Sequence, residues 1–125
     1  MTEIKTDGNG IVRIADEVLA VIAGTAALEA DWVSGLAGYF SNDINDKAVR
    51  KHLAKGVSVS VKDNAVNLGL SISIKFGKKL HEVSADVQSR VKTAIETMTG
   101  LVVNEVNVSI GALVSEKRRP SDNLG

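Results

Sequence analysis

Histidine, serine and lysine are the residue types through which this chain could act on a ligand. There are two histidines, His52 and His81, and no cysteine. Without cysteine there is no thiolate nucleophile, disulfide or iron–sulfur cluster. His52 lies among Arg50, Lys51 and Lys55, whose charge repels a metal cation, and His81-Glu82 lacks the second histidine of a zinc-protease helix. Neither has ligand-spaced partners, so both read as surface histidines, and no metal or other cofactor is expected. Serines are scattered, and no G-x-S-x-G elbow presents one as a nucleophile. Neither a G-x-G-x-x-G nor a G-x-x-x-x-G-K-[ST] loop is present to cradle a nucleotide. The expectation is a protein that is not an enzyme.

Lysine is the better candidate. Residues 47–79 hold eight basic side chains and one acidic one, Asp63, whereas residues 1–46 hold eight acidic and two basic ones. Over the whole chain the charges balance, with fifteen Lys+Arg against fifteen Asp+Glu. The two blocks either satisfy each other within the fold or lie on different faces, where they favour head-to-tail association or an anionic partner. Gly77-Lys78-Lys79, before a predicted helix, could hold an anion on backbone N–H groups and two ammoniums. Lys51 and Lys55 belong to the same basic segment. Nucleic acid fits poorly: aromatic residues are 3% of the chain and its pI is about 6.7, which leaves few stacking platforms and no basic footprint.

These residues must be positioned by a domain of ordinary make-up. The chain has 125 residues, 44% of them apolar and 24% charged. That length suits one domain with a proper core. No apolar run approaches the ~20 residues of a membrane span. The polar start is not a secretory signal. Residues 1–9 read as a flexible tail, 10–114 as the domain, and 115–125 as a polar, basic tail.

Val57, Val59 and Val61, then Val66, Leu68, Leu70, Ile72, Ile74 and Phe76, alternate with polar or small residues. This period of two marks half-buried strands. Asp63-Asn64 suits a two-residue turn, which pairs Val61 with Val66, Val59 with Leu68 and Val57 with Leu70. A helix is predicted over about 16–29, with Val18, Leu19, Ile22 and Ala26 on one face and Ala20, Ala23, Gly24 and Ala27 on another. That small-residue face suits close packing within the molecule or an oligomer seam. A second helix is predicted over 80–98, with an apolar stripe from Leu80 to Met98 and Gly100 as its C-terminal cap. Trp32–Phe40 reads as a strand, 41–46 as a loop, 46–54 as a short helix and 102–114 as a final strand, with Asn107 and Ser109 on its polar side.

The predicted architecture is α+β: a two-layer sandwich in which a mainly antiparallel sheet, built on the central hairpin 57–76, is covered on one face by the two helices. The uncovered face carries Ser58, Ser60, Asn67, Gly69, Ser71 and Ser73. It is flat, small and nearly uncharged. It reads either as a plain solvated face or as a surface that packs on a partner or another copy.

The stretch FGKKLHEVSADVQSRVKTAIETMTGLVVNEVNVSIGALV resembles the second half of the alkaline shock protein family, the Gls-type envelope stress response proteins. Phe76, Gly77, Val83, Gln88, Val91, Ile95, Met98, Thr99, Gly100, Val106, Asn107 and Val108 carry the likeness. GNGIVRIADEVLAVIAGTAAL and KGVSVSV are similar to the family's earlier segments. Asp31-Trp32-Val33-Ser34-Gly35 departs from a tighter Gly-Val in the family, and the tail is short. The resemblance implies a bacterial cytoplasmic protein without enzymatic activity, self-associating and held at the inner face of the membrane by a membrane-anchored partner protein. The expected function is thus a scaffold of the envelope stress response. The alternative is a small anion-binding module, for nucleic acid or a phosphorylated ligand, that uses 47–79.

Overall fold

A computed structural model of the chain describes residues 2–5, 8, 10–36 and 56–115. The predicted loop 41–46, the short helix 46–54, most of the 115–125 tail, and Lys51 and Lys55 lie outside the described residues.

The elements run β1 (Thr2–Lys5), β2 (Ile11–Ile14), α1 (Asp16–Leu28), β3 (Val33–Leu36), β4 (Val57–Lys62), β5 (Ala65–Lys75), α2 (Leu80–Thr99) and β6 (Val102–Val114). The β4–β5 hairpin has the register expected: Val61 faces Val66, Val59 faces Leu68 and Val57 faces Leu70. Asp63 and Asn64 have φ of 53° and 65°, the two left-handed residues of a type I′ turn. The turn and the apolar alternation demand the same pairing, because a slip by one residue would turn the whole apolar set to the open face.

β5 is the hub. β4 pairs antiparallel with its first half and β3 with its second half, while β6 runs along the other side. Among the described residues three of the four strand pairings are antiparallel, including a separate β1–β2 ribbon. The exception is the longest one: β6 lies parallel to β5 from Ala65↔Val102 to Lys75↔Val114. α2 supplies the crossover that a parallel neighbour needs. β6 bulges at Asn104 and at Gly111, so its core-facing parity changes twice.

Val66, Leu68, Leu70, Ile72 and Ile74 of β5 are all buried under the helices. α2 meets them with Val83, Val87, Val91 and Ile95, as its stripe predicts, but the ends of the stripe are exposed: Leu80 and Met98. α1 buries Leu19 together with its small residues Ala20, Ala23, Gly24, Ala26 and Ala27. Val18, expected on the core face, is 48% exposed instead. The small side chains face inward because α1 packs closely against both α2 and the sheet.

The N-terminal tail needs correction. Residues 2–5 form β1, paired antiparallel with Ile11–Ile14, and Arg13 donates to Glu3 across the ribbon at 2.9 Å. The predicted strand 32–40 is described only as Val33–Leu36, with a bulge between Val33 and Gly35.

Ile95→Ala is expected to cost about 2–5 kcal/mol in chemical denaturation, because Ile95 is fully buried and its removal leaves a cavity. The exposed Met98→Ala change is expected to stay within about 0.5 kcal/mol.

Candidate interaction surface

The open side of the sheet is assembled in rows across three strands. Ser60, Asn67 and Glu105 form one row, and Ser58, Gly69 and Asn107 the next. Ser71 then faces Ser109, and Ser73 stands between Gly35 of β3 and Ala112 of β6. The rows follow from period two in each strand and from the hairpin register.

Ser58 and Ser60 are exposed, and Asn67 and Ser71 are half-buried. The Ser58 hydroxyl lies over Gly69 and donates to its carbonyl in a long 3.5 Å contact. A Cβ at residue 69 would stand 2.6 Å from that hydroxyl oxygen, so the glycine lets the side chain lie flat. The Asn104 amide donates to the Asn67 side-chain oxygen at 2.9 Å, which ties β6 to β5 on this face. Ser73 is not on the surface: it is 3% exposed. The open face therefore ends before the last residues of β5. Asn107 and Ser109 complete it, and Glu105 places one charge at its edge. Their polar parity was legible, but only the parallel pairing of β6 brings them beside the serines.

Among the described residues Lys62 stands apart from Lys75, Lys78 and Lys79. Lys62 pairs with Ala65 at one end of β5 and Lys75 stands at the other end, roughly 33 Å apart at the usual strand rise. Lys78 and Lys79 are exposed just before α2, and Lys79 is its N-cap without a side-chain hydrogen bond. His81 is exposed. Among the described residues no three of His, Asp and Glu come together as a metal site. Arg90 is hydrogen-bonded to Asp86 at 3.0 Å, and this bond, with the carboxylate's charge, raises its pKa further above its ordinary value.

Several of the residues that carry the sequence resemblance have structural work, whereas Phe76 and Met98 are exposed. Gln88 donates to the Val106 carbonyl at 2.9 Å. The Thr99 hydroxyl donates to the Ile95 carbonyl at 2.7 Å and accepts the Leu101 N–H at 3.1 Å. Gly100 takes φ 76° as the left-handed cap. Gly77 has φ 122°, and a Cβ there would stand 3.1 Å from the Trp32 ring.

A small α+β domain with one face under helices and one flat, polar, open sheet face is the class that this geometry defines. The chain belongs to the alkaline shock protein 23 family, a family of cell envelope-related function, whose model matches residues 4–115. It is 35% identical over 101 residues to the uncharacterized protein YqhY of Bacillus subtilis, covering 81% of this chain and 75% of that one. It is 31% identical over 105 residues to YloU of the same organism, covering 81% and 86%. A stress response regulator gls24 homolog of Streptococcus pyogenes is 31% identical over 102 residues, covering 81% of this chain and 57% of the relative. Among solved structures, a MamM CTD variant aligns with TM-score 0.47 and 11% identity over 81% of this chain and 95% of that one. No helix among the described residues is long and apolar enough to cross a membrane.

Ser60→Lys is expected to leave the melting transition within about 0.5 kcal/mol of the parent, because its side chain reaches water. Ser73→Lys is expected to cost about 2–4 kcal/mol, because the ammonium would be buried. Equal losses for the two would show that the open face does not end at Ser73.

Proposed function

We propose that this chain is a non-enzymatic scaffold of the cell-envelope stress response, acting by self-association and by docking on a partner, including a membrane-anchored one. The observation that carries the proposal is the open sheet face: Ser58, Ser60, Asn67, Ser71, Asn107 and Ser109 in adjacent rows. These six residues carry no charge to desolvate and no long side chains to immobilise, so a flat partner that hydrogen-bonds their hydroxyls and amides can cover them at low cost. Family membership and the relatives named for stress response support the envelope setting. Lys62, at the far end of β5 from Lys75, cannot share one phosphate with it, which weighs against a single anion site that uses the whole of 47–79.

The test is fractionation of bacterial cells that express the tagged chain. The parent is expected partly in the envelope fraction, and Ser60→Lys with Ser71→Lys is expected to move it to the soluble fraction at unchanged abundance. A parent that never accompanies the envelope, or a double variant that still does, would contradict the proposal.

A further inference from the structure

Among the described residues β6 pairs with β5 alone, so its other side is a sheet edge. Two side chains of α2 serve the start of that edge. The Glu96 carboxylate accepts the Val103 N–H at 2.9 Å, and Gln88 donates to the Val106 carbonyl at 2.9 Å. Among the described residues no side chain serves the backbone of 107–114 in this way. The N–H and C=O of one strand residue point to the same side, and successive residues alternate. Val106 turns its carbonyl to α2, so Val108 and Ile110 also address the edge. Val114 turns its carbonyl to β5, where the Phe76 N–H donates to it at 3.0 Å, so Leu113 addresses the edge as well.

Proteins usually guard such an edge with lysine, proline, inward charges or a covering element. The segment Asn107 to Val114 (NVSIGALV) contains no charge and no proline. Its one irregularity is the bulge at Gly111, and that bulge makes the segment complementary to itself. Consider an antiparallel copy with the two-fold axis between Ile110 and Gly111. Val108 then faces the copy's Leu113, Ser109 its Ala112 and Asn107 its Val114. Val108 and Leu113 lie on the helix-covered face, opposite Leu70 and Ile74 in β5. Ser109, Ala112, Asn107 and Val114 lie on the other side of the sheet, opposite Ser71, Ser73, Gly69 and Lys75. Without the bulge the members of each pair would fall on opposite faces.

We propose that the 107–114 edge of β6 is the self-association site, pairing antiparallel with the same edge of a second copy. The proposal rests on the scaffold reading and names its geometry. The α2 caps at Val103 and Val106 set where pairing stops, no like charges meet, and Leu113, 47% exposed, gains cover from the copy's Val108. A two-fold axis between antiparallel strands is perpendicular to the sheet, so both open serine faces point the same way and join into one docking surface. A paired segment of eight residues spans about 27 Å and by itself buries less than a standard interface, so the dimer is concentration-dependent.

The chain has no cysteine, which makes cross-linking clean. Equimolar Ser109→Cys and Ala112→Cys proteins, mixed and oxidised, are expected to form disulfide dimers well above either protein alone or Ser60→Cys. Ser109→Lys with Ala112→Lys places ammoniums opposite each other twice per dimer and is expected to weaken association about tenfold, whereas Ser109→Lys with Ala112→Glu is expected to restore it. A parent that associates while the mixed cysteines do not link, and while both charge pairs behave alike, would overturn the edge and leave the scaffold reading standing. A parent that stays monomeric throughout would overturn both.

Discussion

Among the described residues every pairing of the main sheet passes through β5. Its five apolar residues at alternate positions, Val66 to Ile74, are buried against the helices, and its two edges meet β4, β3 and β6 in register. Burial of one complete parity sets the register, since any slip would exchange it for serine, asparagine and glycine. The hairpin turn at Asp63-Asn64 makes the same demand locally. The flat open face is the other side of this constraint: the parity that β5 withholds from the core is presented beside β4 and β6.

α2 links that hub to β6, and its polar side chains do as much as its stripe. Glu96 and Gln88 satisfy backbone groups of β6, while Thr99 and Gly100 end the helix so that Leu101 can re-enter the core. Gln88, Thr99 and Gly100 of the family pattern are thus explained by attachment of a parallel strand and by helix termination. Among the described residues Glu96 and Gln88 also leave a boundary on the β6 edge, with side-chain caps before Asn107 and none after it.

The hairpin as far as Lys75, both long helices and the Gly100 cap were legible because turn chemistry and periodicity agree there, whereas Phe76, the last residue of the apolar alternation, lies beyond the strand and is exposed. The parallel course of β6 was not, because alternation says which face a residue takes and not which way its strand runs. Val18 was misplaced for a related reason: helical spacing offered two faces on α1, and close packing chose the alanine and glycine one. β1 is short and polar, so nothing in its four residues distinguishes a strand from a tail until β2 pairs with it. Of the candidate surface, Ser58, Ser60, Asn67 and Ser71 could be read from parity. The burial of Ser73 could not, since alternation alone puts it on the same face as Ser71.

Association through uncharged surface is the central claim, and salt separates it from attraction between the acidic and basic blocks of the sequence. Exposed charge pairs are screened beyond about 10 Å at 0.1 M salt, whereas backbone pairing and small-residue packing are not. The most direct measurement is sedimentation velocity of the full chain over a concentration series at low and high salt. The account predicts a mass that grows with concentration and persists at high salt. Growth that high salt abolishes, or an unchanging monomer, would contradict it.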